Sequence, residues 1–463
     1  MFQCSNAKAT VVGLGATGLS LARFLHKRGA QVTVVDSGET PSGLEQLRSV
    51  CPSVAFRQID LSHDSLPASD FVALSPGVPR ALTALQRVIS SGVPVVGDIE
   101  LFAREVSPHA TVVAVTGSNG KTTTTALAGE LARSVRADTC VAGNIGVPIL
   151  DALDAKPDCF SWVLELSSFQ LESTLSLKLS SAAVLNVTDN HLDRYQSFFS
   201  YAASKDRIFE HARSQVLNRA DPWSMSMRRT GVDVVTFGSD APAAAADYGV
   251  RLGGSVELLV CGDEAVLPCT ELRVGGAHNA QNALAALALT RPFDVPLAAQ
   301  QTVLRSFEGM PHRYQLLGSI SGVSVIDDSK ATTVVATAAA LSGSVRPTWL
   351  IAGGDGKGQD FAALGAIAAR SCKAVFLIGR DANMIAASLE PYGVTYRLFE
   401  SLQDATHAAL EGAASGDQVL LSPACASWDM FRNYHHRAEV FADAAAAWAV
   451  AHGRDFAARK GAR

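Results

Sequence analysis

The chain has 463 residues, 48% of them hydrophobic and 18% charged, with a net charge of -5. At roughly 150 residues per domain this predicts about three compact units, and the composition excludes a disordered chain. The mild acidic balance argues against a nucleic-acid partner, no apolar run approaches the ~20 residues of a membrane span, and the first residues lack a signal peptide's apolar core.

Over residues 1–97, short β-branched runs (KATVVGLG, QVTVVD, FVALSPG, VPVVG) alternate with helical patterns such as TGLSLARFLHKRG. That alternation predicts a parallel α/β sheet of Rossmann-like type. The run Gly13-Leu14-Gly15-Ala16-Thr17-Gly18 follows the first strand and opens a helix, and Asp36 ends the next strand. Glycines at that place let backbone N–H groups approach a diphosphate at a helix N-terminus, and the acid accepts from a sugar or base. Two readings stand open on these residues: an NAD site, or the handle of another nucleotide-linked substrate.

A central domain is predicted over 98–309, where the strand TVVAVTG runs into Gly117-Ser118-Asn119-Gly120-Lys121-Thr122 and the helix TTTTALAGELARS. Amides of such a loop and Lys121 suit β and γ phosphates, and the Thr122 hydroxyl suits magnesium. Val115 stands where the standard P-loop has its first glycine, so this is a variant. Glu165 closes the buried strand CFSWVLEL; it is either a solvated strand end or an acid facing phosphate-bound metal. NVTDNHLDRY sets Asp189, Asn190, His191 and Asp193 just past another apolar strand. A lone histidine there reads as a surface cap, but the convergence of neighbouring strand ends points to metal. Lys205, in FFSYAASKDRIFEHA, reads on spacing alone as a solvated helix lysine. VELLV and the residues around Glu271 predict a small β insert before the helix NAQNALAALALT.

The turn EGMPHR breaks the pattern, and VSVIDDS, TWLIAGG, AVFLIGR, VTYRLF and DQVLLSP predict a second Rossmann-like domain over 310–463. Cys4, Cys51, Cys140, Cys159, Cys261, Cys269, Cys372 and Cys425 are scattered, with neither a CxxC pair nor a zinc spacing. Reduced, structural thiols are expected.

The ordered motifs GLGATG, LSPGVP, GDIELF, TGSNGKTTT, GNIG, LELSSFQLE, NHLDRY, HNAQN, MPHRYQ, DDSKATT, GGDGKGQDF and SPACASWDMFRNY span nearly the whole chain. They resemble those of the Mur ligases, ATP-dependent amino-acid ligases of peptidoglycan precursor synthesis. LELSSFQLE, DDSKAT and SPACAS are similar to the branch that adds D-glutamate. The resemblance implies ligation of D-glutamate to UDP-N-acetylmuramoyl-L-alanine through an acyl phosphate, giving ADP and phosphate, by a cytoplasmic monomer. A folylpolyglutamate synthetase shares the phosphate loop but lacks a counterpart of residues 1–97.

Site roles follow from the same resemblance. Ala16, Thr17, Asp36 and Ser37 would hold the uridine and diphosphate, Ser75, Pro76 and Gly77 the sugar, and Asn144 substrate or phosphate. Gly117, Ser118, Asn119, Gly120, Lys121, Thr122 and Thr123 would take the ATP phosphates, with Asn279, Asn282, Arg313 and Asp328 clasping the rest of ATP. The implied catalytic set is Lys121, Glu165, His191 and Lys205. Two magnesium ions would be held by Thr122, Glu165, His191 and a carbamylated Lys205. Lys330, Thr332, Lys357, Ser427 and Tyr434 would form the D-glutamate pocket, since two carboxylates demand cationic and hydroxyl donors. Asn190 and Thr333 depart from the acid and the asparagine often found at those places. Hinges are expected near Asp98 and Gly309, because water must be kept from an acyl phosphate.

Overall fold

The computed structural model describes residues 4–188, 194–274, 276–342, 344 and 346–458. Among these the strands form three sheets, and the chain divides into two compact units, Met1–Arg273 with Ala280–Phe307, and Val274–Asn279 with Glu308–Arg463.

The first unit holds two sheets. The N-terminal sheet has five parallel strands, in the order Ala55–Gln58, Gln31–Asp36, Lys8–Val12, Phe71–Leu74, Val95–Val96. Val11, Val12, Val34, Val35 and Phe71 are fully shielded, as strands covered on both faces require. The edge strand Ala55–Gln58 went unread because AFRQ is mostly exposed and carries no apolar run.

The central sheet has nine strands, in the order Glu264–Pro268, Val256–Cys261, Tyr248–Gly253, Asp233–Phe237, Ser214–Asn218, Ser181–Val184, Thr111–Thr116, Ser161–Glu165, Cys140–Gly143. The expected β insert is an antiparallel meander whose first strand continues this sheet through the pair Phe237–Tyr248, but the residues around Glu271 form a short 3-10 helix, Cys269–Glu271, instead of a strand. The middle strands Thr111–Thr116 and Ser161–Glu165 lie parallel side by side, so their C-terminal ends deliver Gly117 and Glu165 to one edge.

At the joint near Asp98, where a hinge is expected, the chain enters the helix Asp98–Glu105 with Asp98 buried. Asp98 accepts from Gln170 Nε2 at 3.0 Å, and the Glu100 carboxylate accepts from Leu175 N–H, Ser176 N–H and the Ser176 hydroxyl at 2.7, 2.9 and 2.8 Å. Opening there would strip two buried carboxylates of their donors, at about 1–3 kcal/mol per group left unpaired.

The second unit is built on a seven-stranded sheet, in the order Tyr396–Leu398, Cys372–Ile378, Thr348–Gly353, Gln418–Leu421, Val323–Asp327, Gln315–Ile320, Phe456–Ala458. Gln315–Ile320 pairs antiparallel with both of its neighbours, Val323–Asp327 and Phe456–Ala458, and the other pairs are parallel. All eight cysteines are free thiols. Among the described residues no helix is long and apolar enough to cross a membrane.

Candidate functional site

Ala16 and Thr17 open the helix Ala16–Lys27 behind the first glycine loop. Gly18 is required by close packing: a Cβ there would sit 1.8 Å from the Gly13 carbonyl oxygen. Asp36 is tied to the loop itself, its Oδ2 accepting from Leu14 N–H at 2.6 Å and its Oδ1 from Gly38 N–H at 2.8 Å. Ser37 beside it is exposed. Ser75 is buried, and its N–H donates to the Val12 carbonyl at 3.0 Å. That bond places the Ser75, Pro76 and Gly77 loop against the glycine loop.

The second loop is the start of the helix Lys121–Arg133, capped by Gly120 at a φ of +83° that favours glycine. A Cβ on Gly120 would come within 2.5 Å of Asn282 Oδ1, and Asn282 also accepts from the Thr124 hydroxyl at 3.3 Å. Asn282 is thereby brought to the loop. Ser118 is held by Tyr201 and by Thr188, and Asn119 N–H by the Asn186 side chain. Thr122 is buried and Thr123 half-buried on the first turn. Lys121 Nζ donates to the Gly117 and Ser118 carbonyls at 2.7 and 3.0 Å.

Lys205 is not the solvated lysine that spacing suggested. It is 2% exposed, and its Nζ donates to the same Gly117 carbonyl at 2.9 Å. Burial and then the nearby Lys121 charge push its ammonium well below the usual lysine range, against the pull of Glu165. Glu165 is also buried; Asn144 Nδ2 donates to its Oε1 at 2.8 Å, while Oε2 has no partner among the described residues. A buried carboxylate oxygen without a donor is costly unless a cation or proton meets it. Together with the Thr122 hydroxyl it offers the hard oxygen ligands that a magnesium ion takes. Asp189, Asn190, His191 and Asp193 lie outside the described residues.

In the second unit, Asp328 accepts from Tyr314 N–H at 3.1 Å and from the Ser422 hydroxyl at 2.8 Å, and burial raises its carboxyl to about 7. Arg313 is its electrostatic neighbour, and Asn279 is buried on the helix Ala277–Leu289. Lys330 Nζ donates to the Tyr434 hydroxyl at 3.2 Å and lies 4.7 Å from that ring's centroid. Thr332 follows in the same turn, its N–H bonded to the Lys330 carbonyl. Ser427 is buried, whereas Lys357 is exposed at a φ of +52°.

Two residues that sequence reading missed draw these segments together. Gln359, inside GGDGKGQDF, accepts from Val334 N–H, just past DDSKATT, at 3.0 Å and donates to the Ala424 carbonyl, inside SPACAS, at 2.6 Å. Arg437, fully buried, donates to the Ser329 carbonyl at 2.7 Å, the Ser329 hydroxyl at 3.1 Å and the Cys425 carbonyl at 3.1 Å. Both act on loop carbonyls far away in the chain, which leaves no periodic signal; their place inside GGDGKGQDF and just past FRNY is the only hint.

Comparison with known proteins agrees along the chain. Residues 7–97 match the Mur ligase MurD-like N-terminal domain, 115–290 the Mur ligase middle domain and 312–425 the Mur ligase glutamate ligase domain. The UDP-N-acetylmuramoylalanine–D-glutamate ligase of Methylobacillus flagellatus is 48% identical over 444 residues, covering 96% of this chain and 98% of that protein. Its namesake in Thiobacillus denitrificans is 48% identical over 461 residues, 96% of each chain. Among solved structures, the UDP-N-acetylmuramate-alanine ligase MurC of Thermotoga maritima aligns with a TM-score of 0.59 at 20% identity, over 95% of this chain and 99% of that one. A pseudomurein peptide ligase type C of Methanothermus fervidus gives 0.59 at 18% identity, over 95% and 100%. At such identities these two structures speak to the fold alone.

Proposed function

The chain belongs to the Mur ligase family, and on that premise we propose that it joins D-glutamate to UDP-N-acetylmuramoyl-L-alanine at the expense of ATP. The structural observation that carries the reading is the cluster at Gly117, where two lysine side chains and a buried Glu165, one of whose oxygens has no partner among the described residues, stand at the start of a phosphate-loop helix.

A carboxylate is a poor acyl donor, so the reaction first makes a leaving group. The L-alanyl carboxylate attacks the ATP γ-phosphorus in line, the bond to ADP breaks, and an acyl phosphate forms. Lys121 and the loop amides hold the β and γ phosphates in that step. Magnesium, when bound, neutralises charge on the phosphoryl oxygens; Thr122 and Glu165 would hold it. The D-glutamate amine then attacks the acyl carbon, the tetrahedral intermediate expels inorganic phosphate, and the nitrogen loses its proton to leave an amide. Lys330, Thr332, Lys357, Ser427 and Tyr434 would receive the two carboxylates of D-glutamate, with Lys330 already oriented by Tyr434.

The finer parts belong to the same proposal. A second magnesium ion would lie with His191 and a carbamylated Lys205; the support is family resemblance and the burial of Lys205 near Glu165. Asn279, Asn282, Arg313 and Asp328 would take the remainder of ATP, and Ala16, Thr17, Asp36, Ser37, Ser75, Pro76, Gly77 and Asn144 the UDP-sugar. Three domains, 1–97, 98–309 and 310–463, are supported by the three sheets. A cytoplasmic monomer completes the reading.

The test is phosphate release from ATP with magnesium and UDP-N-acetylmuramoyl-L-alanine. Release that needs D-glutamate and is not met by L-glutamate supports the function; release indifferent to the amino acid contradicts it.

A further inference from the structure

We propose that Arg194 is a positioning residue for the nucleotide-sugar, holding the Ser75–Val78 loop, and through it the first glycine loop, in register with the segment that follows Glu165. The inference rests on the reading that these two loops receive the UDP-sugar.

The Arg194 side chain is only 9% exposed. Its Nη1 donates to the Pro76 carbonyl at 2.7 Å and its Nη2 to the Val78 carbonyl at 3.2 Å. The guanidinium carbon lies 3.8 Å from the centroid of the Phe169 ring, and Glu172 Oε2 is 3.5 Å from Nη2. Phe169 and Glu172 belong to the SSFQLE turn directly after Glu165. One planar group therefore pins a loop of the N-terminal sheet to a turn of the central sheet. A fork that reaches two carbonyls while keeping a face for an aromatic ring is a geometry only arginine supplies; a lysine ammonium would lose the second carbonyl and the stacking.

The hold extends further. Val78 packs on Gly13, where a Cβ would come within 2.7 Å of Val78 Cγ2, so a shifted Val78 displaces the glycine loop. Arg80 Nη1 donates to the Glu172 carbonyl at 2.7 Å, fastening the far end of the same loop to the same turn. The phosphate loop is held by other residues, Asn186 and Tyr201. Loss of the Arg194 fork should therefore fall on one substrate and spare ATP.

The experiment is steady-state kinetics of full-length Arg194→Lys and Arg194→Ala with each substrate varied in turn. The KM for the UDP-sugar rises about tenfold in Arg194→Lys and further in Arg194→Ala, as expected when charge-assisted hydrogen bonds are lost. The KM values for ATP and D-glutamate stay within about twofold, because their ligands are fixed elsewhere. Added methylguanidinium partly restores the alanine variant. If the alanine variant does not fold, the lysine variant alone decides. A common rise in all three KM values, or no rise in any, overturns the proposal. Wild-type enzyme without D-glutamate-dependent turnover removes the functional reading and the proposal with it, whereas active wild type with an unchanged Arg194→Lys variant removes this proposal alone.

Discussion

Lys205 donates its Nζ to the carbonyl oxygen of Gly117 at 2.9 Å, and Lys121 reaches the same oxygen at 2.7 Å. Two side chains that form cations in water thus converge on one acceptor at the head of the phosphate loop. Like charges so close are tolerated when one is neutral or when an anion sits between them. The convergence marks the place where phosphoryl charge is expected.

Lys121→Ala removes the cation at that point while leaving the first glycine loop untouched. Turnover should fall by about 100-fold or more, the usual effect of deleting an electrostatic contact to a transition state. Calorimetric titration should find the UDP-sugar still bound with nearly wild-type affinity, since all its proposed residues but Asn144 belong to the N-terminal sheet; loss of both would tell against separate sites.

Glu165→Gln keeps an oxygen to accept from Asn144 Nδ2 and deletes the charge on the oxygen that has no partner among the described residues. Metal-free protein should melt within a few degrees of wild type, because the desolvation cost of a buried carboxylate and its attraction to Lys205 are lost together. Activity should drop by about 100-fold and the magnesium concentration needed for half-maximal rate should rise. A thermal melt and a magnesium titration check both halves, and a destabilised but fully active variant would contradict the assignment.

Asp98 gives a pH signature. Burial raises its carboxyl from 3.8 to about 6, against the help of Gln170. A raised folded-state value means the contribution to stability is full below the unfolded value of about 4 and is lost as pH climbs through about 6. Asp98→Asn imitates the protonated form. Its advantage over wild type should be absent near pH 4, grow to about 3 kcal/mol at most by pH 6, and level off above. Urea unfolding at several pH values reads this directly, and an advantage that shrinks as pH rises would show the sign to be wrong.

Gln359→Ala breaks the bridge between Val334 N–H and the Ala424 carbonyl. Two lost hydrogen bonds should raise the KM for D-glutamate about tenfold. The KM for the UDP-sugar should not move, so a variant altered in both would assign Gln359 to general folding instead.

Parts of this site were legible in the sequence because they carry local signals. The run of glycines, Lys121 and Thr122 sits between an apolar strand and an alanine-rich helix, and needs only the chain itself to be read. Glu165 was legible as the last residue of a buried strand. Lys205 was not, since nothing in its local sequence sets it apart from a solvated helix lysine and its burial comes from packing under Gly117, a contact made across 88 positions. Gln359 and Arg437 were silent for the same reason. The first glycine loop reads in the sequence as a phosphate cradle but does not name its ligand, because backbone amides at a helix N-terminus do not distinguish one diphosphate from another. The inward bonding of the carboxylates at 98 and 100 was not legible, because their partners Gln170, Leu175 and Ser176 lie more than 70 residues further along the chain.

The most direct test of the central claim follows the oxygen. UDP-N-acetylmuramoyl-L-alanine labelled with heavy oxygen in its carboxylate is incubated with enzyme, ATP, magnesium and D-glutamate, and the phosphate released is examined by mass. Activation through an acyl phosphate predicts that label passes into inorganic phosphate in step with formation of the amide. Amide formation that leaves the phosphate unlabelled would contradict it.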